Sequence, residues 1–207
     1  MPRSKEQFEE MRNSTREKIH SAAIYLFARK GLAGTSVQDI AEKAGISIGL
    51  LYRHFKTKES LYYSLVEFVI SALQEITIRL KSDGSPKAIV QSILDEIYPD
   101  LQNSEDFTDI MALFIQAVLR VEEEQKIEKF LEQDIIMIQA MADLIAKGQK
   151  LGEFRAGDPY EMSIYFFSLI QGIAVSAIAF GEAFKLPEKS LFTAYLYNKK
   201  GVRHGEK

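Results

Sequence analysis

The residues best equipped for chemistry crowd into one stretch. Thr35, Ser36, Ser47, Tyr52, Arg53, His54, Lys56 and Lys58 bring hydroxyl, guanidinium, imidazole and ammonium groups into residues 35–58. These are the groups that hold phosphate, because cations attract it and hydroxyls and helix N-termini donate to its oxygens. Among them lie Ile48, Gly49 and Leu50, which offer apolar contact and room for close approach. Arg53 has the fork that takes guanine in bidentate fashion. The pattern points to a nucleic-acid interface, with phosphate contacts on the hydroxyls and cations and base edges met by Ile48, Gly49, Leu50 and Arg53.

The charge distribution agrees. Residues 1–62 hold eleven Lys/Arg against seven Asp/Glu, or +4, so the remaining 145 residues carry −7 of the formal net −3. A basic first part on an acidic remainder predicts that one part meets a polyanion and the other does something else. Enzyme chemistry has little to stand on. The 207 residues include no cysteine and three histidines. "EKIH" (Glu17–His20) is a single Glu-x-x-His without the second copy that a di-iron bundle needs. "GISIG" is not a phosphate-binding glycine loop and follows no strand pattern. The expectation is a protein that is not an enzyme and uses no metal and no cofactor.

Those residues need elements to position them. Ile19, Ala23, Leu26 and Phe27 recur at helical spacing, predicting a helix over 14–30 that stops at Gly31. Val37, Ile40, Ala41 and Ala44 form the buried stripe of a short second helix capped by Thr35 or Ser36, with Thr35 and Gln38 a candidate capping box. Gly45 supplies the turn. Ser47 caps a third short helix, held down by Leu51 and Phe55, and a fourth runs from Lys58 to about Leu80. Two short helices joined by a three-residue turn have the form of a helix-turn-helix, whose second helix enters the major groove with its N-terminal end.

The stretch "TSVQDIAEKAGISIGLLYRHFKTKESLY" (residues 35–62) resembles the N-terminal domain of the TetR family of bacterial transcriptional regulators. The likeness is carried by Thr35, Ile40, Ala41, Ala44, Gly45, Ile46, Ser47, Gly49, Leu51, Tyr52, His54, Phe55, Lys58 and Leu61, within the first third of the chain. Ile46 stands where the family usually has valine. The resemblance implies phosphate contacts from Thr35 or Ser36, Ser47, Tyr52, His54 and Lys58, and base-edge contacts from Ile48, Gly49, Leu50 and Arg53. The N-terminal arm with Arg3, Lys5, Arg12 and Arg16 is expected to be an unbound flexible tail, with added minor-groove or phosphate contacts as the alternative.

Beyond Leu80 the apolar periodicity stays helical over 87–101, 107–121, 123–150, 159–181 and 187–199, with no sustained two-residue alternation. The predicted fold is all-α, about nine helices, with a DNA-binding domain at 1–60 and an effector-binding and dimerisation domain at 61–207. Met162–Gly181 is a twenty-residue run without a charge. Its length could cross a bilayer, but Ser163, Ser168, Gln171 and Ser176 interrupt it, and Glu161 and Glu182 flank it without basic anchors. A soluble helix apolar nearly all round is buried on both sides. Ser168, Gly172 and Ser176, four apart, make the face where a second subunit packs. In TetR-like proteins the last two long helices build a four-helix dimer interface, which here implies 159–181 and 187–199.

Two copies would double the DNA contacts on a palindromic double-stranded site, with half-sites ~34–36 Å apart. The resemblance also implies a small-molecule effector among the middle helices. Candidate lining residues are Phe68, Tyr98, Phe107, Phe114, Phe130, Phe166 and Phe167, with polar points at Gln116, Gln139 and Gln171. Without charges in those runs, the effector is expected to be hydrophobic or amphipathic. The charged N-terminus lacks the apolar core of a secretory signal, so the expected location is the cytoplasm, without membrane attachment. The whole reads as a homodimeric repressor released by its effector; the alternative is a DNA-binding protein that docks a protein partner and takes no small molecule.

Overall fold

The computed structural model describes residues 5–103, 105–119 and 124–197, leaving aside the side chains of 5–12, 103, 105, 106, 114, 117–119 and 124–127. Among the described residues there are eight α-helices and no strand: α1 Lys5–Lys30, α2 Val37–Lys43, α3 Ile48–His54, α4 Lys58–Leu80, α5 Pro86–Asn103, α6 Glu105–Leu119, α7 Glu124–Lys150 and α8 Pro159–Phe180. The all-α expectation holds. The chain divides into two compact units, one of residues 1–72 with 104–132, the other of 73–103 with 133–207. The divisions fall inside α4 and α7, so both helices contribute to both units.

The first unit is built on α1. Ile19, Ala23, Leu26 and Phe27 are buried along it, as their spacing predicted, and Ile40, Ala41, Leu51, Phe55, Leu61, Leu65 and Leu113 complete the core. The Phe27 ring meets Tyr62 of α4 edge-on at 5.7 Å. α1 starts nine residues earlier than the periodicity suggested, because "KEQFEEMRN" is polar and still rich in good helix formers. Lys5, Arg12 and Arg16 therefore stand on a helix and not on an extended arm, while Arg3 lies outside the described residues.

In the second unit, α7 stops where Gly152 (φ 72°) turns the chain and the Gly148 carbonyl accepts from Glu153 N–H at 2.8 Å and Phe154 N–H at 3.2 Å. Asp158 caps α8, accepting from Tyr160 and Glu161 N–H at 2.8 and 2.9 Å, with Pro159 at the first helical position. α4 and α8 are long and apolar enough to cross a membrane by composition. In α8, Met162, Ser163, Phe166, Phe167, Ile170, Ile173 and Ala174 are buried within the protein, so one side is core.

The ninth helix is a correction. Over 187–197 the chain forms two short 3₁₀ turns, Lys189–Phe192 and Ala194–Leu196; residues 198–199 lie outside the described ones. Tertiary partners take the carbonyls that a helix would use. Tyr98 donates its hydroxyl proton to Pro187 O at 3.2 Å, Arg155 N–H donates to Leu196 O at 2.9 Å, and the Arg155 side chain donates to Tyr195 O. Burial of Phe192, Thr193 and Leu196 holds this path in place.

Candidate nucleic-acid interface

The turn between α2 and α3 is local chemistry. Gly45 sits at φ 66°, the left-handed region where a side chain is strained. Its N–H donates to Glu42 O at 3.1 Å and the next N–H, of Ile46, to Ala41 O at 3.0 Å, which closes α2 as a Schellman motif. Two residues later Ser47 opens α3, its hydroxyl oxygen accepting from Leu50 N–H at 3.2 Å. Leu51 is 1% exposed and Phe55 is buried, so a seven-residue helix is pinned by two anchors one turn apart. Its other face is open. Ile48 is 42% and Tyr52 44% exposed, and Ser47, Gly49, Arg53 and Lys56 are exposed with them; Leu50 and His54 are half-buried.

Gly49 is not required by the fold. Its φ is negative, and a Cβ built there meets nothing within 4 Å. Glycine inside a helix costs about 1 kcal/mol against alanine. The protein carries that cost on the exposed side of α3.

The cap of α2 is the second of its two candidates, and its box partner is Asp39 in place of Gln38. Ser36, not Thr35, is the N-cap: its hydroxyl oxygen accepts from Asp39 N–H at 3.0 Å and the Asp39 carboxylate accepts from Ser36 N–H at 3.0 Å. The Ser36 backbone N–H first, and its hydroxyl second, hold the Asp39 carboxyl below its ordinary pKa. Thr35 is 1% exposed and donates its hydroxyl proton to Gly31 O at 2.8 Å and Leu26 O at 3.3 Å. The expected phosphate contact at Thr35 is thus corrected: the hydroxyl is inside and spent, and Ser36 is the exposed one. Lys58 is also engaged. Its ammonium donates to Leu32 O at 2.6 Å and Thr35 O at 2.7 Å, tying the start of α4 to the loop between α1 and α2.

Several contacts behind this face are not legible in the sequence. Tyr25 of α1 has the Arg29 guanidinium 3.7 Å and the Lys43 ammonium 3.4 Å from its ring centroid, so the last turn of α2 is held on α1 through an aromatic face. His20 lies 5.5 Å from the Phe55 ring and 3.2 Å from the Ser64 hydroxyl. Burial, and then Arg16, push its pKa down to about 4, so the imidazole beneath α3 is neutral at physiological pH. Apart from Arg29 on Tyr25, one helical turn away, these contacts join residues 18 to 44 positions apart, and no local spacing announces them.

Residues 19–65, from mid-α1 to the start of α4, match the family model of the bacterial regulatory proteins of the tetR family. A protein of Bacillus subtilis (strain 168), the uncharacterized HTH-type transcriptional regulator YerO, is 32% identical over 121 residues, 57% of this chain and 40% of YerO. The uncharacterized HTH-type transcriptional regulator YuxN of the same strain is 29% identical over 157 residues, 75% of this chain and 51% of YuxN. The N-terminal region, residues 19–65, is that of the TetR family of bacterial regulatory proteins. The alignments span about half or less of the lengths of these two relatives. Beyond the N-terminal region the likeness to solved structures is one of fold. The SmeT–triclosan complex superposes with TM-score 0.66 at 21% identity, covering 90% of this chain and 93% of SmeT. AibR in complex with isovaleryl coenzyme A and operator DNA gives 0.67 at 14%, covering 87% and 94%. FadR from Bacillus subtilis in complex with stearoyl-CoA gives 0.60 at 19%, covering 86% and 94%.

The effector-pocket candidates are divided between the two compact units. Phe68, Phe107 and Gln116 belong to the first unit and Tyr98, Gln139, Phe166 and Gln171 to the second; the Phe114 side chain lies outside the described ones. Phe68 is 51% exposed, and Gln139 is exposed on α7, where its amide donates to Asp143 at 2.9 Å. Both are therefore corrected from interior lining to surface. Gln116 donates to Ala28 O of α1 at 2.9 Å. Tyr98 packs edge-on against Phe192 while bonding Pro187 O, and Phe166 meets Phe167 edge-on in the core. Of the expected subunit face, Ser168 and Gly172 are exposed and Ser176 is half-buried, its hydroxyl donating to Gly172 O at 2.8 Å. The neighbouring Ile164, Tyr165 and Val175 are 40%, 54% and 41% exposed.

Proposed function

We propose that this protein is a sequence-specific DNA-binding repressor of the TetR family that acts from the cytoplasm as a homodimer on a palindromic operator. The observation that carries the reading is the outer face of α3: exposed Ile48, Gly49, Tyr52 and Arg53 over a helix pinned by Leu51 and Phe55. A glycine that the fold does not need, at the end of the helix that enters a groove, leaves room for a base edge or sugar. Ser36 and Ser47 each accept a backbone N–H at the oxygen, which leaves the hydroxyl proton to donate to phosphate. Tyr52, His54 and Lys56 supply further phosphate donors, and Arg53 with Ile48 and Leu50 meets the bases.

The second copy belongs on α8. Ile164, Tyr165, Ser168, Gly172 and Val175 form an exposed stripe within a segment without charge, and small residues at 168, 172 and 176 let a partner helix approach. With residues 187–197 in 3₁₀ turns, α8 supplies the helical part of the interface. Release by a hydrophobic or amphipathic small molecule is supported by fold relatives holding triclosan, isovaleryl coenzyme A and stearoyl-CoA. Such a ligand lowers DNA affinity only by binding better to the conformation that reads DNA worse.

Selection of bound duplexes from a random pool, repeated at two salt concentrations, tests the core of the reading. A palindromic consensus whose affinity falls steeply with salt is expected. Arg53→Ala should then relax preference at particular positions while other positions keep theirs. Recovery of no consensus at either salt would sink the proposal.

A further inference from the structure

The C-terminal end of α1 is a junction of side chains that donate to backbone carbonyls. Thr35 bonds Leu26 O and Gly31 O, and Lys58 of α4 bonds Leu32 O and Thr35 O. Two further side chains come from α6, one a donor and one an acceptor; α6 lies some eighty residues further along the chain but belongs to the same compact unit. Gln116 Nε2 donates to Ala28 O at 2.9 Å, one of the last carbonyls of α1, which has no helical N–H left to accept. Asp109 accepts from Arg29 Nη1 at 2.5 Å; its side chain is 1% exposed and that of Arg29 32%. A buried carboxylate needs its cation, so this pair holds where a surface pair would not.

We propose that Gln116 and Asp109 are positioning residues for DNA reading: from α6 they set the end of α1, and through it both ends of α2. This rests on the DNA-binding function proposed above. At the near end, only residues 31–35 separate the last turn of α1 from the Ser36 cap, and Thr35 and Lys58 already fix their carbonyls. A shift at Ala28 has little slack in which to die away. At the far end, Arg29, which Asp109 holds, lies on the Tyr25 ring, and the same ring holds Lys43 in the last turn of α2. The Gly45 turn follows at once, so α3 takes its orientation from α2. Asp109 is a buried anion, which phosphate repels, and Gln116 is half-buried with its amide turned to Ala28 O. They act by keeping the reading helices in the competent arrangement, and affinity falls in proportion to the fraction that leaves it.

The full chain with Gln116→Leu, which keeps the bulk and removes the donor, is the test. Two quantities are measured: amide hydrogen exchange across residues 36–44, and affinity for the duplex selected by the wild type, at several salt concentrations. Exchange across 36–44 should quicken, and affinity should drop about five-fold, the worth of one neutral hydrogen bond. The slope of log affinity against log salt should not change, because no phosphate contact is lost. Asp109→Asn should weaken affinity in the same way; should it fail to fold, Gln116→Leu still decides. Wild-type affinity in Gln116→Leu overturns the proposal, whether or not exchange changes. So does lowered affinity with unchanged exchange across 36–44, which would make Gln116 a contact residue. If the wild type itself selects no DNA, the functional reading fails instead, and exchange across 36–44 alone decides whether α6 positions α2: quickened exchange upholds that, and unchanged exchange overturns it.

Discussion

Replacing Lys58 by methionine separates two roles that the sequence cannot distinguish. A lysine opening the helix after a recognition helix invites a phosphate contact, yet here the ammonium is bonded to Leu32 O and Thr35 O at 2.6 and 2.7 Å. Methionine keeps most of the apolar stem and leaves both carbonyls without their donor. A hydrogen bond to a charged group is worth ~1.5–3 kcal/mol when well buried. Lys58 is only half-buried, so about 1 kcal/mol for each bond is the better figure. The expected loss is ~2 kcal/mol, which in a chain of this length lowers Tm by about 4–8 °C. Differential scanning calorimetry reads that shift, and fluorescence anisotropy titrations at four salt concentrations read the electrostatic part of binding. The salt slope should stay near its wild-type value in Lys58→Met. In Lys56→Met, an exposed site on the side proposed to face DNA, Tm should hold and the slope should fall by about 0.9 per copy. An unchanged Tm with a reduced slope in Lys58→Met would refute the reasoning and return Lys58 to the phosphates.

Three further outcomes are expected of the same structure. The unfolded chain takes up a proton on His20 near pH 6.5, whereas in the folded state its pKa is pushed down to about 4, so its contribution to stability is complete above pH 6.5 and is lost as pH falls through 4; urea midpoints between pH 7 and 4 should fall less in His20→Leu than in the wild type. A Cβ at Gly148 would lie 2.1 Å from Phe154 Cδ2 and 2.5 Å from Cε2, so Gly148→Ala should cost about 1–3 kcal/mol, and adding Phe154→Ala should cost less than the sum of the two, by chemical denaturation. Gly172→Arg on α8 meets nothing within 4 Å at Cβ, so the protomer should keep its helical circular dichroism while sedimentation shows a monomer at micromolar concentration; a persisting dimer would move the interface off this face.

What the sequence determined by itself was what depends on a few neighbouring residues. Gly45 takes the left-handed conformation because α2 must end sharply, Ser47 caps because an unpaired N–H follows it, and Leu51 and Phe55 share a face because a helix repeats at that spacing. The exposed candidates on α3 came from the same rule read in reverse. Tertiary structure decided which polar groups are left over for a partner. Thr35 and Ser36 are equally good caps by type, and only the proximity of Gly31 O and Leu26 O takes Thr35 inside. Lys58 and Gln116 carry donors that any solvated surface would leave available, until carbonyls 23 to 88 residues away claim them. Residues 187–197 have a helical pattern, but Tyr98 and Arg155 take the carbonyls that the helix needs. Periodicity records which side of an element is apolar. The partner that meets a given donor or acceptor is set by the packing of distant elements, because a hydrogen bond forms only across ~3 Å of space, whatever the distance along the chain.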